Sequence, residues 1–240
     1  MIDIHTHILP GIDDGARNID MSLAMLHMEA QQGVDTVVLT PHFYRHRERP
    51  EHFLLRRKEA YERLQDALAK QREEQQQKLP KLVLGCEVAW VPNLMEMDLL
   101  PELCIGDTQN LLLELPFTPW SKTLGDQLYD LMGRTGITPI LAHLERYTKI
   151  QRPELVREVL SLGLPVQISA DTLLGAFSKG KSLKALKSWA HIVASDCHNT
   201  TDRAPSMEQA MQVVEKKLGR RAATTLGNNA RCLITDSGDI

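Results

Sequence analysis

The sequence predicts an α/β fold on a parallel sheet, closed as a barrel. Three observations carry that expectation. Short runs rich in Val, Ile and Leu alternate with longer polar stretches of helical periodicity. The alternation repeats seven times with short connections, the pattern of a parallel β/α fold. At 240 residues, seven such units fit a barrel made as one domain better than an open doubly wound sheet. An open sheet stays compatible, because strand order is not written in one sequence.

The elements follow in order. The strand runs fall at residues 2–4, 36–39, 82–84, 111–113, 138–142, 165–168 and 191–194. A helix over 18–32 carries Met21, Met25, Leu26 and Met28 on one side. A long helix over 51–77 places Phe53, Arg57, Tyr61, Leu64 and Leu68 three or four residues apart. Its Gln/Glu-rich end, 70–78, reads as solvated. Further helices are expected over 121–134, 153–162, 182–189 and 205–218. Gly33, Pro80, Gly136 and Gly163 stand just before strands, where helices stop. No linker and no shift of composition interrupts the chain, so residues 1–240 are expected to form a single domain.

Composition excludes several classes. Apolar residues make up 42% and charged residues 25%, which rules out a disordered, collagen-like or coiled-coil chain. A net charge of −3 and a pI near 6.3 leave no electrostatic footprint for nucleic acid. Aromatics at 5% argue against a stacking platform for single strands. The cysteines at 86, 104, 197 and 232 form no C-x-x-C pair, which suggests reduced thiols. The start, Met1-Ile2-Asp3-Ile4-His5, has neither the basic nor the apolar region of a signal peptide. No apolar run approaches the length of a membrane span. A cytoplasmic protein without membrane insertion is expected.

In parallel β/α folds the carboxyl ends of the strands carry the site. Here the first ends in His5-Thr6-His7, with Asp13 and Asp14 close behind. The second ends in Thr40-Pro41-His42, the third in Gly85-Cys86-Glu87, the fourth in Glu114. The fifth ends in His143, followed by Glu145 and Arg146; the sixth in Ser169 and Asp171; the seventh in Ser195-Asp196-Cys197-His198. Each motif alone is weak. Nine histidines in 240 residues make one His-x-His unsurprising, and a lone strand-end His is more often a bonded core residue. Convergence raises the odds. Strand alternation puts His5 and His7 on one face. His42, Glu87, Glu114, His143, Asp196 and His198 reach the same mouth if the fold is right. Charges buried at this density need compensation, and bound cations are the ordinary kind. Five histidines and four carboxylates, with Asp14 among them, are too many for one ion and suit two or three. Imidazole and carboxylate without thiolate points to Zn, Mn or Fe. Such a site is net positive and suits an anionic substrate.

Taken together, His5 to Gly15, the Thr-Pro-His42 turn, Gly85-Cys86-Glu87, the segment from Ala142 to Tyr147 and Ser195-Asp196-x-His198-Asn199 resemble the polymerase-and-histidinol-phosphatase (PHP) superfamily. The likeness is greatest to its bacterial manganese-dependent tyrosine phosphatases of capsule and exopolysaccharide operons, and it runs from residue 2 to about residue 228. It implies a distorted (β/α)7 TIM-like barrel of the PHP fold, with clustered metals. It assigns His5, His7 and Asp196 to one metal, Glu114 and His143 to a second, and Asp14, His42 and His198 to a third, with Glu87 bridging. It gives Arg146 and Arg203 to the phosphate, although Asp202 precedes Arg203 where the family pattern often has Gly. The implied activity is hydrolysis of phosphotyrosine on a protein, such as the tyrosine-rich tail of a bacterial tyrosine kinase. A small-molecule phosphatase of the histidinol-phosphatase type and a non-catalytic PHP-like regulatory module are the alternatives.

Three bland readings stand beside these. Arg146 could pair with Glu145 or Asp130 on the surface. Asp13 reads as a turn residue before Gly15. The run Arg45, His46, Arg47, Arg49 is either a solvated loop or a rim for an acidic phosphopeptide. A decoy also occurs: Cys197 and Arg203 fit C-x5-R, the loop of cysteine-dependent tyrosine phosphatases. That loop has no glycine to close on phosphate, and alternation should turn the Cys197 thiol towards the wall.

Overall fold

In the computed structural model, which describes residues 1–70 and 79–235, the elements run β1 (Ile2–Thr6), α1 (Ile19–Gln31), β2 (Thr36–Leu39), β3 (His42–Phe43), α2 (Pro50–Ala69), β4 (Lys81–Leu84), β5 (Glu87–Ala89), β6 (Asn110–Glu114), α3 (Leu124–Thr135), β7 (Thr138–Leu141), α4 (Pro153–Ser161), β8 (Gln167–Ser169), α5 (Ala170–Leu174), α6 (Lys179–Ser188), β9 (Ile192–Ala194), α7 (Met207–Leu218) and α8 (Arg220–Ile234). Every pairing between strands is parallel. This is the α/β class the alternation predicts. The ladders fall into three sheets, β1-β2-β4, β3-β5-β6-β7 and β8-β9. A single closed ring is therefore not what the strand order records. Isolated parallel bridges join Thr6 to Cys197 and Leu141 to Val166.

Two of the seven expected runs continue past a break. Pro41 separates β2 from β3, and Gly85 with Cys86 separates β4 from β5. Pro41 offers no N–H to a ladder. Side chains take over at the first break: the Thr6 N–H donates to Thr40 Oγ1 at 2.9 Å, and Thr6 Oγ1 donates to the Val38 carbonyl at 2.8 Å. At the second, the buried Arg57 of α2 donates to the Gly85 and Glu102 carbonyls at 3.1 and 2.9 Å. Both breaks are thus held, and each delivers a polar residue, His42 or Glu87, just beyond it.

Alternation along the strands sorts the core into two faces. Ile2, Ile4, Val38, Leu112, Ile140, Ile192 and Ala194 form one cluster with Ala230 and Leu233 of α8. The opposite faces pack under the helices in a larger cluster that includes Val37, Leu39, Leu111, Leu113, Ile168 and Val193. The sequence reading placed no helix after residue 218. Gly227, Asn228 and Asn229 are weak helix formers and hide α8. Its apolar stripe, Leu226, Ala230 and Leu233, is buried. Asn110 and Asn229 donate side-chain hydrogen bonds to the carbonyls of Leu233 and His191, so α8 closes the end where the strands begin.

Helix boundaries otherwise follow local chemistry. Asn18 caps α1 by accepting from the Met21 N–H at 2.9 Å. Pro50 and Pro153 start α2 and α4 at the first turn. Gly136, at φ 72, ends α3 in the left-handed region. The helix expected over 51–77 is described to Ala69; residues 71–78, which carry its Gln/Glu-rich part, lie outside the described residues. No described helix is long and apolar enough to cross a membrane.

Candidate metal centre

The residues expected to bind metal meet at the carboxyl ends of the strands. His5 on β1 and His7 just past its end turn the same way, with their Nε2 atoms 3.2 Å apart. Each ring is fixed from behind. His7 Nδ1 lies 2.8 Å from Asp13 Oδ2, and His5 Nδ1 lies 3.3 Å from Gln167 Oε1. Asp13 also accepts from the backbone N–H groups of Gly15 and His42 at 2.9 and 3.0 Å. Gly15 lets this loop close on β1: a Cβ there would sit 2.1 Å from the His7 carbonyl oxygen.

Glu87 lies in the middle. Its Oε2 is 3.2 Å from His5 Nε2, 3.4 Å from His7 Nε2 and 2.9 Å from His42 Nδ1, and its Oε1 is 2.8 Å from His143 Nε2. Asp196 Oδ1 is 3.4 Å from the Nε2 atoms of both His5 and His7. Glu114 lies 3.7 Å from His143. Asp14, the most exposed member, lies 3.4 Å from the Nε2 atoms of His42 and His198. Three overlapping groups have donor atoms close enough to share an ion: His7, Asp14, His42 and His198; His5, His7 and Glu87; His42, Glu87 and Glu114. The structure brings together all nine residues singled out in the sequence.

The donor set fits divalent cations. His42 Nδ1, Glu87 Oε2 and His198 Nε2 are buried and face this shared space; close as His42 Nδ1 and Glu87 Oε2 are, at 2.9 Å, none of the three makes a hydrogen bond of proper geometry. Buried polar atoms left unpaired are costly, and a cation bound among them removes the cost. Two members also hold rare backbone conformations. His143 and Asp196, at φ 32 and 54, are the two described non-glycine residues with positive φ. Such strain persists where surrounding structure enforces it.

The electrostatics divide the carboxylates. Burial works to raise Glu87, but the charge of His5 and the close approach of His143, His42 and His5 outweigh it and hold the carboxyl well below its ordinary range. Asp196 is held down in the same way, chiefly by His5 against its own burial. Glu114 is pushed up to about 7 by burial and by the Glu87 charge. His198 falls to about 3, because burial and the neighbouring His7 both oppose a second cation.

Arg146 and Arg203 sit at the rim. Both guanidinium groups pair with Asp196 Oδ2, Arg203 at 2.9 Å. Neither Glu145 nor Asp130 is the partner of Arg146. Arg146 and Arg203 line one side of a cavity of about 210 Å³ with Leu174 and Asp196. The basic run is partly engaged: Arg45 donates to the Asn93 carbonyl at 2.7 Å, and Arg47 stacks 4.3 Å over Tyr44.

Cys197 is placed against the cysteine mechanism. It is fully buried, and its thiol lies 3.7 Å from Glu29 Oε1 on α1. Burial and the Glu29 carboxyl push the thiol far up, so it holds its proton.

Some contributors were missed. Asp13 is both the turn residue expected and the partner of His7, which its place six residues on from His7 could have suggested. Gln167, inside a strand run, also accepts from the His143 N–H at 2.8 Å; no sequence signal separated it from a core polar residue. Phe117, half exposed, lies 6.2 Å from the His143 ring.

Fold and site together define a class: a parallel α/β protein with a cluster of histidines and carboxylates at its strand ends whose donor atoms lie close enough to hold metal ions. The chain belongs to the CpsB/CapC family of capsular polysaccharide synthesis, which it matches over residues 1–235. It is 33% identical to the tyrosine-protein phosphatase YwqE of Bacillus subtilis (strain 168), over 98% of this chain and 91% of that protein. It is 31% identical to the tyrosine-protein phosphatase CpsB of Streptococcus pneumoniae, over 98% and 99%. A solved chain from the crystal structures of YwqE and CpsB, described as unique metal-dependent tyrosine phosphatases, superposes with a TM-score of 0.85 at 29% identity, covering 100% of this chain and 96% of that one. An organophosphorus hydrolase mutant, at 14% identity and a TM-score of 0.52 over 97% and 92%, shares the fold alone.

Proposed function

We propose that this chain is a metal-dependent protein-tyrosine phosphatase that uses two or three divalent ions, manganese in the cell, with zinc or iron as the alternatives. The observation that carries it is the convergence of nine imidazole and carboxylate ligands beneath two rim arginines. The named relatives, similar over nearly their whole length, support the same activity.

In the assignment that the resemblance implies, His5, His7 and Asp196 would hold one ion, Glu114 and His143 a second, and Asp14, His42 and His198 a third, with Glu87 shared. The groups of donors support it in part: they join His5 and His7 with Glu87, and Asp14, His42 and His198 with His7, while Glu114 groups with Glu87 and His42. Asp13 and Gln167 fix the rings of His7 and His5 so that Nε2 faces inward. Divalent ions held there supply Lewis acidity toward the phosphoryl group and make water ionise more readily. Arg146 and Arg203 contribute fork-shaped donors to the phosphoryl oxygens as charge develops on them. Phenolate, with a pKa near 10, leaves with modest help.

Three further features belong to the same proposal. The two isolated bridges and the inward apolar cluster support a seven-stranded closed barrel, with β2/β3 and β4/β5 each counted once. Residues 1–240 act as one domain, since one core cluster draws on elements from both ends of the described chain. The substrate is a phosphotyrosine protein in the cytoplasm, the tyrosine-rich tail of a bacterial tyrosine kinase that governs capsule or exopolysaccharide synthesis. The family's tie to capsular polysaccharide supports that partner, and four free cysteines suit that compartment.

The test combines metal analysis with a substrate panel. Chelation should abolish turnover of a phosphotyrosine peptide, and Mn²⁺ should restore it best. Histidinol phosphate and single-stranded DNA should be poor substrates. Full activity after exhaustive metal removal, or a preference for histidinol phosphate, overturns the reading.

A further inference from the structure

Phe177 is the most exposed large apolar residue described, at 98%. It does not dangle. It stands on the turn between α5 and α6, which several bonds hold in place. The Gly175 N–H donates to the Asp171 carbonyl, and the Lys179 N–H donates to the Gly175 carbonyl, both at 3.1 Å. Ser178 Oγ donates to the Thr172 carbonyl at 2.6 Å, and Ser182 Oγ to Thr172 Oγ1 at 2.8 Å. Thr172 Oγ1 in turn donates to the Ser169 carbonyl at the end of β8 at 2.6 Å. A braced turn that displays a bare phenyl ring to water gains no stability from it; one exposed apolar side chain is ordinary on its own, and what sets this one apart is the charge beside it.

Charge accompanies the ring. From Thr172 to Ser195 the chain has four lysines and no acidic residue, although its net charge is −3. Lys181 and Lys184 are exposed on α6, and Lys179 is partly so. Among the described residues none of the three has an ion-pair partner. This contrasts with Arg45 and Arg47 of the basic run, whose side chains are engaged. The patch also adjoins the arginines. Leu174 lines the cavity with Arg146 and Arg203, and it precedes Phe177 by three residues, at most about 11 Å of chain.

We propose that Phe177, Lys179, Lys181 and Lys184 form a docking surface for an acidic stretch of the phosphotyrosine-bearing polypeptide. The inference rests on the phosphatase reading of the adjoining site. Extended chain covers about 3.4 Å per residue, so the acidic stretch lies about three to six residues from the phosphotyrosine. Asp171 and Asp202 also line the cavity. Negative charge immediately beside the phosphotyrosine therefore gains nothing, and the benefit begins farther out. A polypeptide fits better than a membrane, because the patch continues from a cavity that takes a phosphoryl group and offers only one apolar anchor.

Two phosphotyrosine peptides of equal length test this, one with Asp and Glu at the outer positions and one with Ser there. The variants are Phe177→Ala and the triple charge reversal Lys179→Glu, Lys181→Glu, Lys184→Glu. With Mn²⁺-loaded enzyme, the reversal should raise KM for the acidic peptide about tenfold and leave the Ser peptide and p-nitrophenyl phosphate within about twofold. Phe177→Ala should raise KM for both peptides and spare the small aryl phosphate. The advantage of the acidic peptide in the wild type should shrink with salt. Anisotropy of the labelled acidic peptide on metal-free protein reads docking without turnover. If the wild type turns over no aryl phosphate, the phosphatase reading fails while anisotropy still decides the surface. Unchanged binding and KM in the reversal overturn the proposal. So does loss on all substrates alike, or binding of phosphatidylserine vesicles that the reversal removes while peptide kinetics stay the same.

Discussion

Asp196 is the residue on which two histidines and two arginines meet. One oxygen faces His5 and His7, and the other receives both Arg146 and Arg203. On a left-handed backbone, its carboxylate faces the candidate metal centre with one oxygen and the rim with the other. Arg146 should therefore matter for the reaction more than for the assembly of the centre. Arg146→Ala should lower kcat/KM on a phosphotyrosine peptide by about 10²-fold, the cost of losing one preorganised donor, while metal content stays near normal. Wild-type kinetics would make Arg146 a surface residue. The neighbouring Cys197 points the other way, into α1. Cys197→Ser should keep most activity, with no phosphocysteine to trap, whereas Asp196→Ala should lose metal and turnover together. A dead Cys197→Ser enzyme with normal metal content would make the thiol the nucleophile.

At the scale of elements, legibility tracks periodicity. The strand runs were readable because each is a short apolar block bounded by turn residues, and β1, β2 and β7 lie where those blocks predict. The site was readable because strand ends are fixed points: once β1 ends near Thr6, alternation alone brings His5 and His7 to one face. What could not be read depends on contacts between distant segments. β3 and β5 are too short to carry a period, and the breaks before them are held by Thr6 and Arg57, which come from distant segments. Gln167 reaches His5 and His143 across the sheet, and nothing local marks it. α8 hides behind Gly227 and two asparagines, and its burial against the strand starts overrides that weak propensity. The same dependence explains why seven expected strands are nine among the described residues: Thr40-Pro41-His42 and Gly85-Cys86-Glu87 read as strand ends in the sequence, and in the fold they are breaks after which β3 and β5 resume.

Stability belongs to the whole chain, and its pH dependence follows from groups whose titration differs between the folded and unfolded states. Two carboxyls that are not themselves expected ligands, Asp13 beside His7 and Glu29 on α1, pull in opposite directions. Burial favours raising Asp13, but His7 and the N–H groups of Gly15 and His42 outweigh it and depress the carboxyl. Its contribution is present above the ordinary carboxylate range and is lost as pH falls through the depressed value. Glu29 behaves in reverse. Burial on α1 and the adjacent Asp3 carboxylate raise it well above its ordinary value of 4.5. Above that value the unfolded chain gives up the proton and the folded chain keeps it. The unfolded state then binds fewer protons, so stability falls as pH rises, until Glu29 ionises in the fold as well. Thermal unfolding measured from pH 5 to 9 should show Tm declining across this window in the wild type. Glu29→Gln keeps the shape and removes the titration, so its decline should be markedly shallower. Parallel profiles for the two proteins would show that Glu29 is already ionised in the fold, and that its buried contact with the Cys197 thiol is made by a charged carboxylate.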